Sequence, residues 1–274
     1  MSAVLLLFAL SATAFGADVS HEKVLFPATL HITRELTNPI SGTKSTIDEY
    51  CLGNRVVSVS GSRTAIADYD KHSIMRIDFA AGTYSIASFE EVAKMHAAMR
   101  APGTAMQSVA AAAKSDEWKA EARGNSVIAS RPGETVELQR RGVQSSQSIR
   151  ITADREMKLS RDAVEALTGL AYPNPRDEAA DAILGALRAN PASRIATNSA
   201  PSENEYRLPL EHVVRFEVDG ESIESRNVVV RIGQELVPAD AITLPPGVKL
   251  VDSDAVTAQR VLQELDGPSP AVKP

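Results

Sequence analysis

The chain has 274 residues, a net charge of −6 and a sequence pI of about 5.5. Acidic residues outnumber basic ones and the charges are dispersed, so neither nucleic acid nor an anionic membrane surface would be drawn to it electrostatically. Its only cysteine, Cys51, cannot close an internal disulfide, which leaves a buried core as the source of stability.

The chain opens on an apolar run, Val4 to Leu10. Small residues Ser11-Ala12-Thr13-Ala14 follow, then the triplet Ala14-Phe15-Gly16. Residues 1–16 therefore read as a secretory signal with its cleavage site, although the stretch before the run, Met1-Ser2, carries no Lys or Arg. The run is shorter than the roughly 20 apolar residues that cross a bilayer, and no later segment approaches that length. The expected product is exported, periplasmic and not membrane-spanning. No cysteine sits at the cleavage site to take a lipid by the usual bacterial route. A mature chain of roughly 255 residues can bury a sizeable core. Residues 17–266 read as a single β-rich domain, and 267–274, rich in proline, as a disordered tail.

The first third alternates like an antiparallel meander. Val57 and Val59 alternate with Ser58 and Ser60, and strands are expected over Arg63 to Tyr69, Ser73 to Phe79 and Thr83 to Phe89. In the second of these, Met75, Ile77 and Phe79 share one face, with Ile74, Arg76 and Asp78 on the other. At Ser88 the period changes. Ser88-Phe89-Glu90-Glu91 matches a capping box, and Val92, Met95, Ala98 and Met99 form a helical stripe. Ala101-Pro102-Gly103 ends that helix, and an alanine-rich one from about Thr104 to Ser115 presents Met106, so a helical insertion is expected over about 88–116.

Strands resume after Trp118: Lys119 to Ala129, Glu134 to Arg140 and Gln147 to Ala153, separated by turn formers. A second helical insertion is expected over 160–189. Ser160 caps a helix presenting Val164, Leu167 and Leu170, and Asn174-Pro175 opens another presenting Ala179, Ile183, Leu184 and Leu187. Tyr206 to Val218 and Ser222 to Ile232 flank Asp219-Gly220, a strong hairpin signal. Sheet brackets the helices, which predicts a mainly β (α+β) fold: a curved antiparallel sheet or unclosed β-barrel with helices packed on one side or end as a lid.

The order of signal peptide, meander RTAIADYDKHSIMRIDFAAGTYSIASFEEV, helical stretch, further strands with ITADREMKLSRDAVEALTGL, and the strand pair LPLEHVVRFEVDGESIESRNVVVRIG leading to ITLPPGVKLV resembles the periplasmic lipoprotein-carrier superfamily (LolA/LolB-like) and uncharacterised envelope proteins near it. The resemblance covers about two-thirds of the mature chain and rests on turns, alternation and the closing Pro245-Pro246-Gly247 rather than on catalytic motifs. It implies an unclosed barrel with helices over an apolar cavity for acyl chains. It carries over no ligand-binding residue.

The residues that could line such a cavity are Val57, Val59, Met75, Ile77, Phe79, Met95, Met99, Met106, Trp118 and Phe216; methionine suits an adaptable lining, though a methionine stripe at helical spacing is ordinarily core. Asp68, Asp70 and His72 alternate as metal ligands or an acid/base pair would, but Asp and Lys are common in hairpin turns and no second cluster completes a ligand set. Cys51 has apolar neighbours that favour a buried, inert thiol. Asp177 and Glu178 fall in a first helical turn, where the helix dipole favours acidic residues without any catalysis. No HExxH, GxSxG, Walker A or GxGxxG pattern occurs. No enzyme activity, cofactor or metal is therefore expected. The expected function is a non-catalytic carrier or sensor whose partner is a lipid or an acylated protein. One alternative is an envelope interaction module with a filled core and a protein partner. Another is a hydrolase built from Asp68, Asp70, His72 and His96.

Overall fold

The computed structural model describes residues 24–39, 41–99, 117–142, 145–168, 178–188, 205–218 and 221–252. The expected signal segment, the C-terminal tail and the helix from about Thr104 to Ser115 lie outside the described residues.

Six strands come first: β1 (Phe26–Thr37), β2 (Lys44–Gly53), β3 (Arg55–Ser60), β4 (Arg63–Asp68), β5 (Ser73–Asp78) and β6 (Thr83–Ser88). Helix α1 (Phe89–Met99) follows, then β7 (Lys119–Ile128), β8 (Arg131–Arg141) and β9 (Ser145–Ser160). After helices α2 (Arg161–Thr168) and α3 (Glu178–Leu187) come β10 (Glu205–Val218), β11 (Glu221–Gly233), the single turn α4 (Ala239–Ile242) and the short β12 (Lys249–Leu250). The twelve strands among the described residues form one unclosed sheet in the order β12-β6-β5-β4-β3-β2-β1-β11-β10-β9-β8-β7. Every neighbouring pair is antiparallel except β12 with β6. The expected curved-sheet class with helices is the fold observed.

Strand β1 is the seam. It pairs with β2 on one side and β11 on the other, so the N-terminal meander and the meander of β7 to β11 become a single surface. Neither β1 nor β2 stands out from the sequence, because the inward row of β1 (Leu30, Ile32, Arg34, Leu36) is broken by a charge. Arg34 is nevertheless 4% exposed. Its Nε donates to Glu49 at 2.6 Å and its Nη1 to the Pro209 carbonyl at 3.2 Å, which makes burial of the guanidinium tolerable.

One face of the sheet carries the helices. Val56, Ala67, Ile74 and Ala87 occupy consecutive strands in register and are buried with Ile32, Cys51, Leu208 and Leu210. Phe89 and Val92 of α1 and Ala163, Ala166 and Leu167 of α2 pack into the same cluster. A second cluster holds Leu138, Ile149, Ile151 and Ala153 against Val164 of α2 and Leu184 and Leu187 of α3. Local chemistry starts α1 and α2. The Ser88 amide donates to Glu91 Oε2 at 2.6 Å while the Glu91 amide donates to Ser88 Oγ at 3.1 Å, the reciprocal capping box, and Ser160 Oγ accepts from the Ala163 amide at 3.2 Å. Arg207, buried on β10, ties the end of α3 down by donating to the Ala186 carbonyl at 3.3 Å and to Glu134 of β8 at 2.5 Å.

No described helix is long and apolar enough to cross a membrane. The resemblance to the lipoprotein-carrier superfamily implies helices over a cavity, whereas α1, α2 and α3 rest on clusters of buried side chains. The apolar cavity lies on the opposite face.

Candidate binding cavity

Because side chains alternate along a strand, the partners of the helix-side rows point to the other face. There, Tyr50, Val57, Ile66, Met75 and Ile86 stand in one rung, each the Cα partner of the next across β2 to β6. The adjacent rung begins with the apolar Leu52 and is polar from there on: Arg55, Asp68 and Ser73. A floor of five strands thus has an apolar stripe beside a charged margin.

The roof is the segment from Gln234 to Val248. β11 ends beside β1 in mid-sheet, while β12 pairs with β6 near the far edge, so the chain must cross the intervening strands. Pro238, Pro245 and Pro246 lack amide hydrogens, which keeps the crossing from joining the sheet as a strand. It is anchored at its end where the Lys249 amide donates to the Gly82 carbonyl at 3.0 Å and the Val251 amide to the Tyr84 carbonyl at 2.9 Å. Leu236, Val237 and Ile242 look down on the stripe and enclose a cavity of about 550 Å³. Leu52, Ile86 and Leu236 remain 49%, 51% and 67% exposed, so large apolar side chains rim an accessible opening.

At one margin, Arg55 Nε donates to Asp68 Oδ2 at 2.9 Å, Lys71 Nζ lies 3.8 Å from the same oxygen, and the Lys71 amide donates to Asp68 Oδ1 at 3.1 Å. Burial opposes ionisation of Asp68, but the Lys71 amide and the Arg55 guanidinium outweigh it and hold the carboxyl below its usual range. Two cations thus share one carboxylate and leave this margin net positive. At the other margin, Tyr50 stacks on His31 with ring centroids 4.2 Å apart, and burial together with Asp48 pushes its phenol up against the opposing pull of Arg231.

Two further cavities are less suited to an apolar ligand. One of about 610 Å³ on the helix side has hydroxyls of Ser45, Ser58, Ser60 and Ser85 together with Arg63, Arg76 and Asp78 along its walls. Another, of about 680 Å³, runs along Val24 to Leu30 and is closed by Arg131, Lys158 and Glu205.

Of the residues singled out by sequence, Val57 and Met75 line the strap-covered cavity and Ile77 borders the helix-side one. Val59 lies one rung further along, with Thr64 and Ile77 as its neighbours across β4 and β5. Phe79 follows β5 and donates its amide to the Ser62 carbonyl at 2.9 Å. Trp118 packs on the second core cluster with the Arg140 guanidinium 4.8 Å above its ring, and Phe216 sits half-buried on β10 between Ile223 and Gln147, so neither joins Val57 and Met75. Met106 and the side chains of Met95, Met99 and His96 lie outside the described residues, as do Asp177 and the Glu178 side chain. The residues missed are Ile66 and Ile86, which the alternation around Met75 would have supplied, and Leu236 and Ile242, which sit in an irregular proline-rich stretch with no period to read.

Asp68, Asp70 and His72 surround the β4–β5 turn and diverge. Asp68 faces the cavity margin, Asp70 accepts from Asn54 Nδ2 at 2.6 Å, and His72 lies edge-on to Phe89 at 5.9 Å. Among the described residues no group of three or more His, Cys, Asp or Glu side chains is placed to hold a metal. Cys51 is fully buried, and burial pushes its thiol far up.

No family model and no curated protein matches the chain. Among solved structures it is similar to PNGF-II, with a TM-score of 0.35 and 8% identity over 86% of this chain and 33% of that one. It is similar to MucB, with a TM-score of 0.33 and 11% identity over 80% of this chain and 58% of that one. A domain from Vibrio parahaemolyticus described as an outer membrane lipoprotein-sorting protein is similar at a TM-score of 0.31 and 7% identity, over 78% of this chain and 88% of that one. The chain therefore spans a third of the PNGF-II chain and a little over half of the MucB chain.

Proposed function

We propose that this chain is an exported, non-catalytic binding protein whose strap-covered cavity takes an acyl chain of a lipid or of a lipidated protein. The observation that carries the reading is the pairing of an apolar rung, Val57, Ile66, Met75 and Ile86, with an apolar roof, Leu236, Val237 and Ile242, around about 550 Å³. That volume falls in the range of small-molecule sites, and a lining with few polar groups favours a ligand that needs no hydrogen bonds along its length. Burying an acyl chain contributes about 0.8 kcal/mol per methylene, so several methylenes suffice for measurable affinity.

The charged margin gives the ligand a direction. With Arg55 and Lys71 sharing Asp68, the acidic end of an amphiphile is expected at that margin and its chain under Leu236 and Ile242. Titrating the protein with a fluorescent fatty acid and with the corresponding fatty alcohol separates the two contributions. The acid is expected to bind about fivefold tighter, the equivalent of about 1 kcal/mol for exposed charges, and the Arg55→Gln/Lys71→Gln pair should remove that preference while keeping alcohol binding. Equal affinities in the wild type would remove the headgroup assignment alone. Failure of both probes to bind would remove the acyl-binding reading.

A further inference from the structure

The geometry points to His31 as a charge-dependent clamp on the crossing segment, tightened when the imidazole is protonated and loosened when it is neutral. Its consequence for ligand exchange rests on the acyl-binding reading, while the clamp itself does not. His31 is 5% exposed, on β1, in the same rung as Tyr50 and Gly233. Its Nδ1 lies 3.0 Å from Glu235 Oε2 and its Nε2 lies 3.0 Å from Asp48 Oδ1. Both ring nitrogens thus face carboxylate oxygens. Only the doubly protonated ring can donate to both, because the neutral ring turns one lone pair toward a carboxylate.

The two acceptors are not equally free to leave. Asp48 is fixed in β2 and also accepts from Thr33 Oγ1 at 2.7 Å. Glu235 is the second residue of the crossing segment, half-exposed, and is otherwise held by Arg231 of β11 in a surface ion pair. Among the described residues, the charged and titratable groups facing the ring are Asp48 and Tyr50 from β2 and Glu235 from the crossing segment, with Arg231 behind Glu235. When the ring loses its proton, the Glu235 end is therefore the one that gives. The segment has slack to lift: from β11 to β12 is seven strand spacings, about 34 Å. Fifteen residues, Gln234 to Val248, can reach about 50 Å.

Gly233 makes the contact possible. Glu235 folds its carboxylate back over this glycine to meet His31, and a Cβ at position 233 would occupy the place of that carboxylate. The displaced group is the flexible end of a side chain, so Gly233→Ala expels the clamp without disturbing the sheet.

Two readouts on the full chain test this. The first is release of an uncharged pyrene-labelled fatty alcohol, which does not itself titrate, at about pH 5 and about pH 8. The wild type should release it about tenfold faster at the higher pH, the factor that one lost charge-assisted hydrogen bond produces. Gly233→Ala should release it fast at both, and Glu235→Gln at a rate independent of pH, because its amide can accept from or donate to the ring in either protonation state. The second is the mobility of a nitroxide spin label at Ala239→Cys, an exposed position on the crossing segment, the native Cys51 thiol being buried. The label should be restrained at about pH 5 and mobile at about pH 8 in the otherwise wild-type chain, and mobile at both when Gly233→Ala is added. A mobility that is independent of pH, or equal with and without Gly233→Ala, would overturn the clamp. A probe that never binds, beside a label mobility that follows pH, would establish the clamp and reject the acyl-binding reading.

Discussion

Ile66→Trp is expected to weaken fatty-acid probe binding by about two orders of magnitude while leaving the thermal midpoint within a few degrees of the wild type. Ile66 lies at the centre of the apolar rung, between Val57 and Met75. An indole there fills space under Leu236 and Ile242 from a strand position where aromatic residues are favoured. If it excludes about four methylenes at about 0.8 kcal/mol each, the loss is about 3 kcal/mol, or about 200-fold in Kd. The neighbouring residue supplies the control. Ala65 faces the helix side, next to Ser58 and Arg76, so Ala65→Leu adds bulk to the other cavity and should leave probe affinity unchanged. Equal loss in both variants would show that the probe does not read the strap-covered cavity.

Asp154→Ala is expected to cost about 3 to 5 kcal/mol of stability, the range for stripping one partner from a buried ion pair. Asp154 is fully buried. It holds Arg131 through a bidentate pair, with Nη2 donating to Oδ1 at 3.2 Å, and it accepts from the amides of Glu156 at 2.8 Å and Met157 at 3.1 Å. Those bonds lock β9 against the start of β8, where Ala129 and Ser130 take up positive φ to make the turn. Burial opposes ionisation of the carboxyl, but Arg131 and the two amides prevail and hold it below its usual range. A carboxyl depressed in the folded state stabilises above its unfolded value, about 3.9, and that contribution disappears as the pH falls through the folded value. Denaturant midpoints should therefore show a constant gap between wild type and Asp154→Ala above about pH 5 that narrows in acid. A gap that stays constant into strong acid would mean that the charge of Asp154 does not carry the effect.

The fold was largely readable where local chemistry and periodicity agree. The alternation from Val57 to Ser88, the capping box at Ser88 and the cap at Ser160 are all features that a short stretch of chain decides by itself, and each appears where its residues put it. The central strand was not readable. β1 buries Arg34 on its inward face and is made a strand by partners 15 and about 195 residues away, Glu49 of β2 and Val229 of β11, which no local window contains. The same limit applies to the cavity. Val57 and Met75 could be placed on one face of a sheet, but which face the helices take depends on where Phe89, Val92 and Ala163 dock. The roof is a proline-containing connection without period, and its position follows from β12 reaching β6, a contact of two residues. His31 is invisible for a related reason: its two carboxylate partners come from β2 and from a segment more than 200 residues along the chain.

Native mass spectrometry of the protein isolated gently from its native cells, followed by solvent extraction of whatever accompanies it, tests the central claim most directly. The account predicts an acyl-bearing adduct, one per chain, that is absent from Ile66→Trp prepared in the same way; the extract then distinguishes a free lipid from a lipidated protein. A clean mass for the unliganded chain, together with no binding of the fluorescent fatty-acid probe, would contradict it and favour a protein-interaction module in its place.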